Sequence, residues 1–201
     1  SYNDTDDAVV GDPTSTTTST TITRTTSSIQ QHRLQLPIAK HRLKILYALE
    51  KYNVICIVGE TGSGKSTQIP QYLMESGWTG HPPLASIPSS SQTTTTSSRF
   101  YSVLCIQPKR IAAITLAKRV AIECSISGSN TTSNTSVVGY AVRLEGEEMN
   151  NQQHIQSVTD DYFIHETTIQ DPLLSKYSAV IVDDAHERTV PTDIALAILK
   201  K

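Results

Sequence analysis

Three cysteines in 201 residues, with no Cys-x-x-Cys pair among them, exclude a disulfide framework and a zinc-ribbon type of site. Cys56, Cys105 and Cys124 each stand in an apolar context and read as small buried hydrophobes. No run of eighteen apolar residues occurs, so no membrane-spanning helix is expected and no membrane partner. Excess charge is also missing. Seventeen Lys and Arg stand against 19 Asp and Glu, leaving −2 at pH 7, and the pI is near 6.3. Any contact with a polyanion must therefore come from local groups and not from a global basic field. The N-terminus is polar and acidic, unlike a secretory signal, so the Asn-x-Ser/Thr triplets at Asn3, Asn130 and Asn134 read as by-products of Ser/Thr richness. A reducing, intracellular compartment is expected.

Apolar residues make up 37% of the chain, below the roughly 45–50% usual for globular proteins. The shortfall is local. Residues 1–31 are Asp-, Ser- and Thr-rich and are expected to be a disordered tail, because too little apolar surface is present to offset the entropy of ordering. Two further Ser/Thr-rich stretches, 79–98 and 125–136, are expected to be disordered surface insertions. What remains, 32–201, reads as one α/β domain. Val54–Val58 predicts a buried first strand, 66–77 a helix ending at Gly77, 101–106 a second strand, and 110–123 an apolar helix built on Ile111, Ile114, Leu116 and Val120. Strands are predicted at 137–142 and 155–158, a helix at 161–169, a buried strand at 179–182 and a last helix from Thr192. Alternating strands and helices with apolar strands predict a mostly parallel sheet covered by helices on both faces. The chain begins without Met and stops inside a helix pattern, so a fragment is expected.

The most specific motif is Gly59-Glu60-Thr61-Gly62-Ser63-Gly64-Lys65-Ser66-Thr67, directly after the apolar run 54–58. It matches the phosphate-binding loop Gly-x-x-x-x-Gly-Lys-Ser/Thr between a strand and a helix. Its glycines permit positive φ and bring successive N–H groups around a polyphosphate, and the helix dipole adds to the attraction. Lys65 is the candidate for the β- and γ-phosphates and Ser66 for Mg²⁺. A nucleoside triphosphate is the expected ligand. Taken alone, the loop fits kinases, GTPases, transporters and helicases.

A second motif narrows the choice. Val180-Ile181-Val182-Asp183-Asp184-Ala185-His186-Glu187-Arg188-Thr189 is an apolar strand that ends in acids. Asp183 is placed for a second Mg²⁺ contact and Asp184 for the water that attacks. This segment resembles the Asp-Glu-Ala-His-Glu-Arg-Thr motif of DEAH-box RNA helicases, and 59–72 resembles that family's first motif. Gln107–Ala113 is similar to Gln-Pro-Arg-Arg-Val-Ala-Ala, Val138–Glu145 to Val-Gly-Tyr-x-Ile-Arg-Phe-Glu, and Thr159-Asp160-Asp161 to Thr-Asp-Gly.

The resemblance covers roughly 34–201 and implies a RecA-like phosphate-loop fold, an incomplete first helicase lobe. It implies ATP and Mg²⁺ as cofactors, with Lys65, Ser66 and Thr67 on the phosphates and metal, Asp183 on the metal and Asp184 at the water. His186 would couple the two lobes, and Arg119 would stack on the base. Lys109, Arg110 and Thr159 would grip an RNA backbone without reading its sequence. It further implies a second lobe, protein activators and a nuclear location, with the isolated lobe nearly inactive.

Each role has a plainer rival: Arg119 as a solvated helix charge, Lys109 and Arg110 as helix-start charges, His186 as a polar residue at the sheet edge. His154 and His165 have no ligand partners at useful spacing, and Tyr140 and Tyr162 read as packing residues. Two positions depart from the family pattern. Asp184 replaces a glutamate, one methylene longer, and Asp161 replaces a glycine. A degenerate lobe that binds ATP and RNA without turnover is the alternative they raise. A small-molecule kinase would need a lid and acceptor pocket for which the sequence gives no sign.

Overall fold

The computed structural model describes residues 28–80, 100–126, 137–143, 146–147 and 152–200. Most of the expected tail and insertions, with Leu144, Glu145 and the residues 148–151, lie outside them. At their borders the sequence reading is corrected. Residues 28–31, assigned to the tail, form the start of helix α1 (28–35), and Ser125 and Ile126 continue helix α4. Thr79 and Gly80 are likewise ordered, Gly80 bridging Tyr101.

The remaining elements are a 3₁₀ turn at Pro37–His41, α2 (Arg42–Lys51), α3 (Lys65–Glu75), β1 (Ser102–Gln107), α4 (Arg110–Ile126), β2 (Val138–Val142), β3 (Gly146–Glu147), β4 (Ile155–Thr159), α5 (Asp160–Tyr162), α6 (Thr168–Gln170), β5 (Tyr177–Val182) and α7 (Val190–Leu199). The sheet order is β3-β2-β4-β1-β5, and only the two-residue edge strand β3 is antiparallel. Every residue of β1 is buried, as a continuous apolar run at the centre of a parallel sheet requires.

Alternation along β1 shows how both faces are covered. Val103 and Cys105 face a cluster with Ile38, Ile45, Ile69, Leu73, Ala117 and Val120, supplied by the 3₁₀ turn, α2, α3 and α4. Leu104 and Ile106 face the other cluster, with Tyr162, Phe163 and Ala195. Helices on both faces, expected from the strand–helix alternation, are what the fold has.

Helix α3 begins at Lys65 after a left-handed Gly64 and ends in a Schellman turn. Gly77, at φ +82°, donates its N–H to Met74 O at 3.1 Å, and Trp78 N–H reaches Leu73 O at 3.0 Å. Pro70 is inside α3 and buried, and the helix continues past it.

Four expectations fail. Residues 54–58 form no strand: Ile55 and Ile57 are half-buried against the core, but Val54 is 85% and Val58 92% exposed. An apolar run becomes a doubly buried strand only with ladder partners and a covered outer face, and among the described residues no strand pairs with this one. Cys56, expected buried, is exposed for the same reason. Strand β5 pairs with β1 alone, so it is half-buried along its length instead of fully. On α4, Ile111 is 78% exposed, because the helix turns Ala113, Ala117 and Val120 to the sheet. The helix expected at 161–169 is present, helical without interruption from 160 to 170, with a π turn at Phe163–Thr167 that seats Phe163 completely inside the second cluster.

Candidate nucleotide and RNA site

The loop 59–64 is shaped by glycine. Gly62 and Gly64 take φ +80° and +94°, which L-residues with side chains adopt at a cost of about 1–2 kcal/mol each. Gly64 also has no room: a Cβ there would lie 2.9 Å from Leu36 Cδ1, 3.2 Å from Ile38 Cγ2 and 3.3 Å from Gln68 Cγ. The segment Leu36–Ile38 is thus the floor of the loop, tied to it by Ile38 N–H donating to Ser63 O at 3.2 Å. The Lys65 ammonium folds back on its own loop, donating to Gly59 O at 2.6 Å, Glu60 O at 2.7 Å and Ser63 Oγ at 3.3 Å.

No side chain caps the N-terminus of α3 and its first turn carries no acid. The first-turn N–H groups of an uncapped helix favour an anion, and glycines before them allow close approach. A triphosphate therefore fits this donor set. Thr67 is turned the other way: its hydroxyl donates to Gly64 O at 3.3 Å and accepts from Gln68 Nε2 at 3.1 Å.

At the carboxyl ends of β1 and β5 stands Asp183. Its Oδ2 accepts from Gln107 Nε2 at 2.9 Å, its Oδ1 from Asp184 N–H at 3.0 Å, and its own N–H donates to Ile106 O at 3.0 Å. Gln107, the last residue of β1, thereby orients the candidate metal ligand. Asp184 is exposed and left-handed at φ +47°, and Arg188, at φ +51°, ends the short 3₁₀ turn Ala185–Glu187 on which His186 lies exposed. Asp tolerates this backbone better than most residues. Among the described bonds, none joins Lys65 to Asp183.

The candidate RNA residues fall in two places. Lys109 and Arg110 start α4 beside a surface depression of about 630 Å³ lined also by Ile111, Ala112 and Thr115. Lys109 Nζ donates to Glu187 Oε1 at 2.5 Å, which joins this helix start to the acid loop. Thr159 is elsewhere employed. It is buried, and its hydroxyl accepts from Tyr162 N–H at 3.3 Å as the cap of α5. Next to it the buried Asp160 Oδ2 accepts from Thr189 Oγ1 at 3.2 Å and Thr192 Oγ1 at 3.0 Å, pinning the end of the acid loop to β4. Removing one donor by Thr192→Val leaves a buried carboxylate short of a partner. The expected loss is about 1–3 kcal/mol of stability in a urea titration, with an unchanged slope.

Arg119 is half exposed, and its Nε donates to Glu123 Oε1 at 2.6 Å. Glu123 itself is 3% exposed. Burial raises its pKa, but hydrogen bonds from Gln71, Arg119 and Gln68 outweigh that and hold it below the usual carboxylate value. The half-buried His154 makes structural contacts: Thr79 Oγ1 lies 2.7 Å from its Nδ1, and Phe100 meets its ring edge-on at 4.9 Å. Tyr162 is buried in the second cluster, and Tyr140 packs against the first. Gln107, Glu187, Asp160 and Glu123 were not singled out from the sequence. The first three stand inside motifs already recognised, and Glu123 is signalled only by its i+4 spacing from Arg119.

A parallel sheet wrapped on both faces, a glycine loop leading into an uncapped helix, and an acid-tipped strand define an α/β lobe of RecA-like type. No protein-family model matches the chain. Curated relatives do. The chain is 42% identical over 175 residues to the probable ATP-dependent RNA helicase DHX35 of Homo sapiens, covering 87% of this chain and 21% of that protein. It is 39% identical over 177 residues to the pre-mRNA-splicing factor ATP-dependent RNA helicase prp22 of Schizosaccharomyces pombe, covering 88% and 13%. It is 38% identical over 173 residues to the pre-mRNA-splicing factor ATP-dependent RNA helicase DEAH10 of Arabidopsis thaliana, covering 86% and 20%. These relatives are ATP-dependent RNA helicases, and the likeness to them runs over nearly nine-tenths of this chain. The chain spans about a fifth or less of the length of these relatives. Among the described residues no helix is long and apolar enough to cross a membrane.

Proposed function

We propose that this chain is the first motor lobe of a DEAH-type RNA helicase, which binds Mg-ATP, holds RNA by its backbone and hydrolyses ATP to remodel RNA or RNA–protein particles. The observation that carries the proposal is the N-terminus of α3: uncapped, free of acids in its first turn, and preceded by the left-handed Gly62 and Gly64 with the Lys65 ammonium alongside. The N–H groups of 59–67 receive the phosphates and Lys65 adds its charge. Ser66 and Asp183 hold Mg²⁺, which when bound neutralises charge on the phosphate oxygens. Gln107 keeps the Asp183 carboxylate in place. Asp184 orients or deprotonates water, and Arg119 lies against the base.

Lys109 and Arg110 face RNA phosphates, contacts that carry no sequence preference and weaken with salt. His186 couples this lobe to a second one, and without that lobe ATPase is very low and no strand is unwound. The splicing-factor relatives favour a nuclear site of action within larger assemblies and protein activators there.

One observation favours a second reading, a lobe that binds ATP and RNA with little turnover. Asp184 carries the shorter carboxylate, and a displacement of about 1 Å costs on the order of 10²-fold in rate. Asp161, half-buried beside Thr159, adds negative charge on the RNA side. The test is steady-state ATPase with and without single-stranded RNA, in a chain extended by its second lobe, beside Asp184→Glu. A working motor turns over with RNA in the natural sequence. Turnover only after Glu is restored establishes the binding relic, and turnover in neither removes the motor proposal. Because Glu fits φ +47° less well than Asp, the variant is expected to melt slightly lower even if it is faster.

A further inference from the structure

Four side chains from three helices converge on the carboxylate of Glu123, which lies between α3 and α4. Its Oε2 accepts from Gln68 Nε2 at 2.8 Å and Gln71 Nε2 at 2.7 Å, and Arg33 Nε of α1 lies 3.9 Å from the same oxygen. Its Oε1 accepts from Arg119 Nε at 2.6 Å. The division of labour matters. One oxygen is fixed from α3, the helix that starts at Lys65, and the other is presented to Arg119.

Gln68 is itself anchored. Its Oε1 accepts from Arg33 Nε at 2.9 Å, and its amide also donates to Thr67 Oγ1. Arg33 is held in turn by Glu75 Oε1 at 2.7 Å. An ordinary exposed Arg–Glu pair one helical turn apart contributes only about 0.3–0.5 kcal/mol and leaves the guanidinium free to sample rotamers. Here the acceptor is buried and its plane is set by two amides, so the bond through Nε aims the guanidinium while about half of the side chain stays in solvent.

We infer that Glu123 is a positioning residue for the nucleotide: with Gln68 and Gln71 it sets Arg119 for the base, so that phosphate-loop helix and base contact form one rigid unit. This rests on the assignment of Arg119 to the base. Its consequence is a split. Loss of Glu123's charge or reach weakens recognition of the base and leaves recognition of the phosphates intact.

The experiment measures dissociation constants of Mg-ATP and of Mg-tripolyphosphate, which has no base, for the 201-residue chain and for Glu123→Gln, Arg119→Ala and the double variant. Expected is a loss of about 3- to 10-fold for ATP in each variant, from the lost stacking of a cation on a ring, with tripolyphosphate affinity unchanged within about twofold. The double variant should be no worse than Arg119→Ala, because Glu123 acts through that residue. If Glu123→Gln does not fold, Glu123→Asp, which keeps the charge and retracts it, should show the same split.

Equal losses for both ligands would make Glu123 merely structural and overturn the inference, as would no loss for either. A double variant clearly worse than Arg119→Ala would also overturn it. If the parent chain binds neither ligand, or if Arg119→Ala leaves the ratio untouched, the nucleotide or base assignment falls first and takes this inference with it.

Discussion

A Lys65→Met chain should fold with an unchanged melting curve and bind Mg-ATP about 10- to 100-fold more weakly, because a charge-assisted hydrogen bond to phosphate contributes about 1.5–3 kcal/mol. With the second lobe present, turnover should drop by about 10²–10³, the usual effect of deleting one donor to developing charge. The structure explains why stability is spared. The ammonium donates to Gly59 O and Glu60 O in an exposed loop, where water replaces it at little cost. Isothermal titration beside a thermal melt separates the two quantities. A lower melting temperature with unaltered affinity would show that Lys65 is a strut of the loop and not a ligand of phosphate.

Gly64→Ala should fail on both counts. The methyl enters a left-handed backbone at φ +94° and meets Leu36, Ile38 and Gln68 at 2.9, 3.2 and 3.3 Å. Strain of about 1–2 kcal/mol adds to overpacking of about 1–3 kcal/mol, so a loss of roughly 2–5 kcal/mol is expected. Relief requires the loop to lift from Leu36–Ile38, which breaks the Ile38 N–H bond to Ser63 O and scatters the N–H groups that face phosphate. Nucleotide binding should fall below detection, and Leu36→Ala in the same chain should restore part of the stability by making room. If the double variant gains nothing, the contact with Leu36 is not the cause, and the loss lies in backbone strain or in the contacts with Ile38 and Gln68.

The contrast between these two positions also marks what the sequence can and cannot say. Lys65 and Gly64 both announce themselves through spacing, and the α/β alternation is plain in β1, α4 and α3. Neither Leu36 as the floor of the loop nor Glu123 under Arg119 could be read in advance, because both arise from contacts across more than 25 and 50 residues of chain, as Gly64 to Leu36 and Glu123 to Gln68 illustrate. Periodicity reports which residues are apolar and not what covers them. That is why the run 54–58 and strand β5 were read as fully buried when a neighbour is present on one side at most. Thr159 fails for a related reason: a hydroxyl beside an RNA path and a hydroxyl capping a helix share one sequence.

The Lys109–Glu187 pair, exposed at the mouth of the acid loop, gives ionic strength two opposed actions on this lobe. Salt weakens the hold of any lysine on a phosphodiester, and the same screening releases Lys109 from its carboxylate competitor. For this residue the dependence on salt should therefore be shallower than for a lysine that holds phosphate with no such competitor. The other end of the loop, fixed by the buried Asp160 to Thr189, should hardly respond. Added electrolyte should therefore free the loop at Glu187 and leave it held at Thr189.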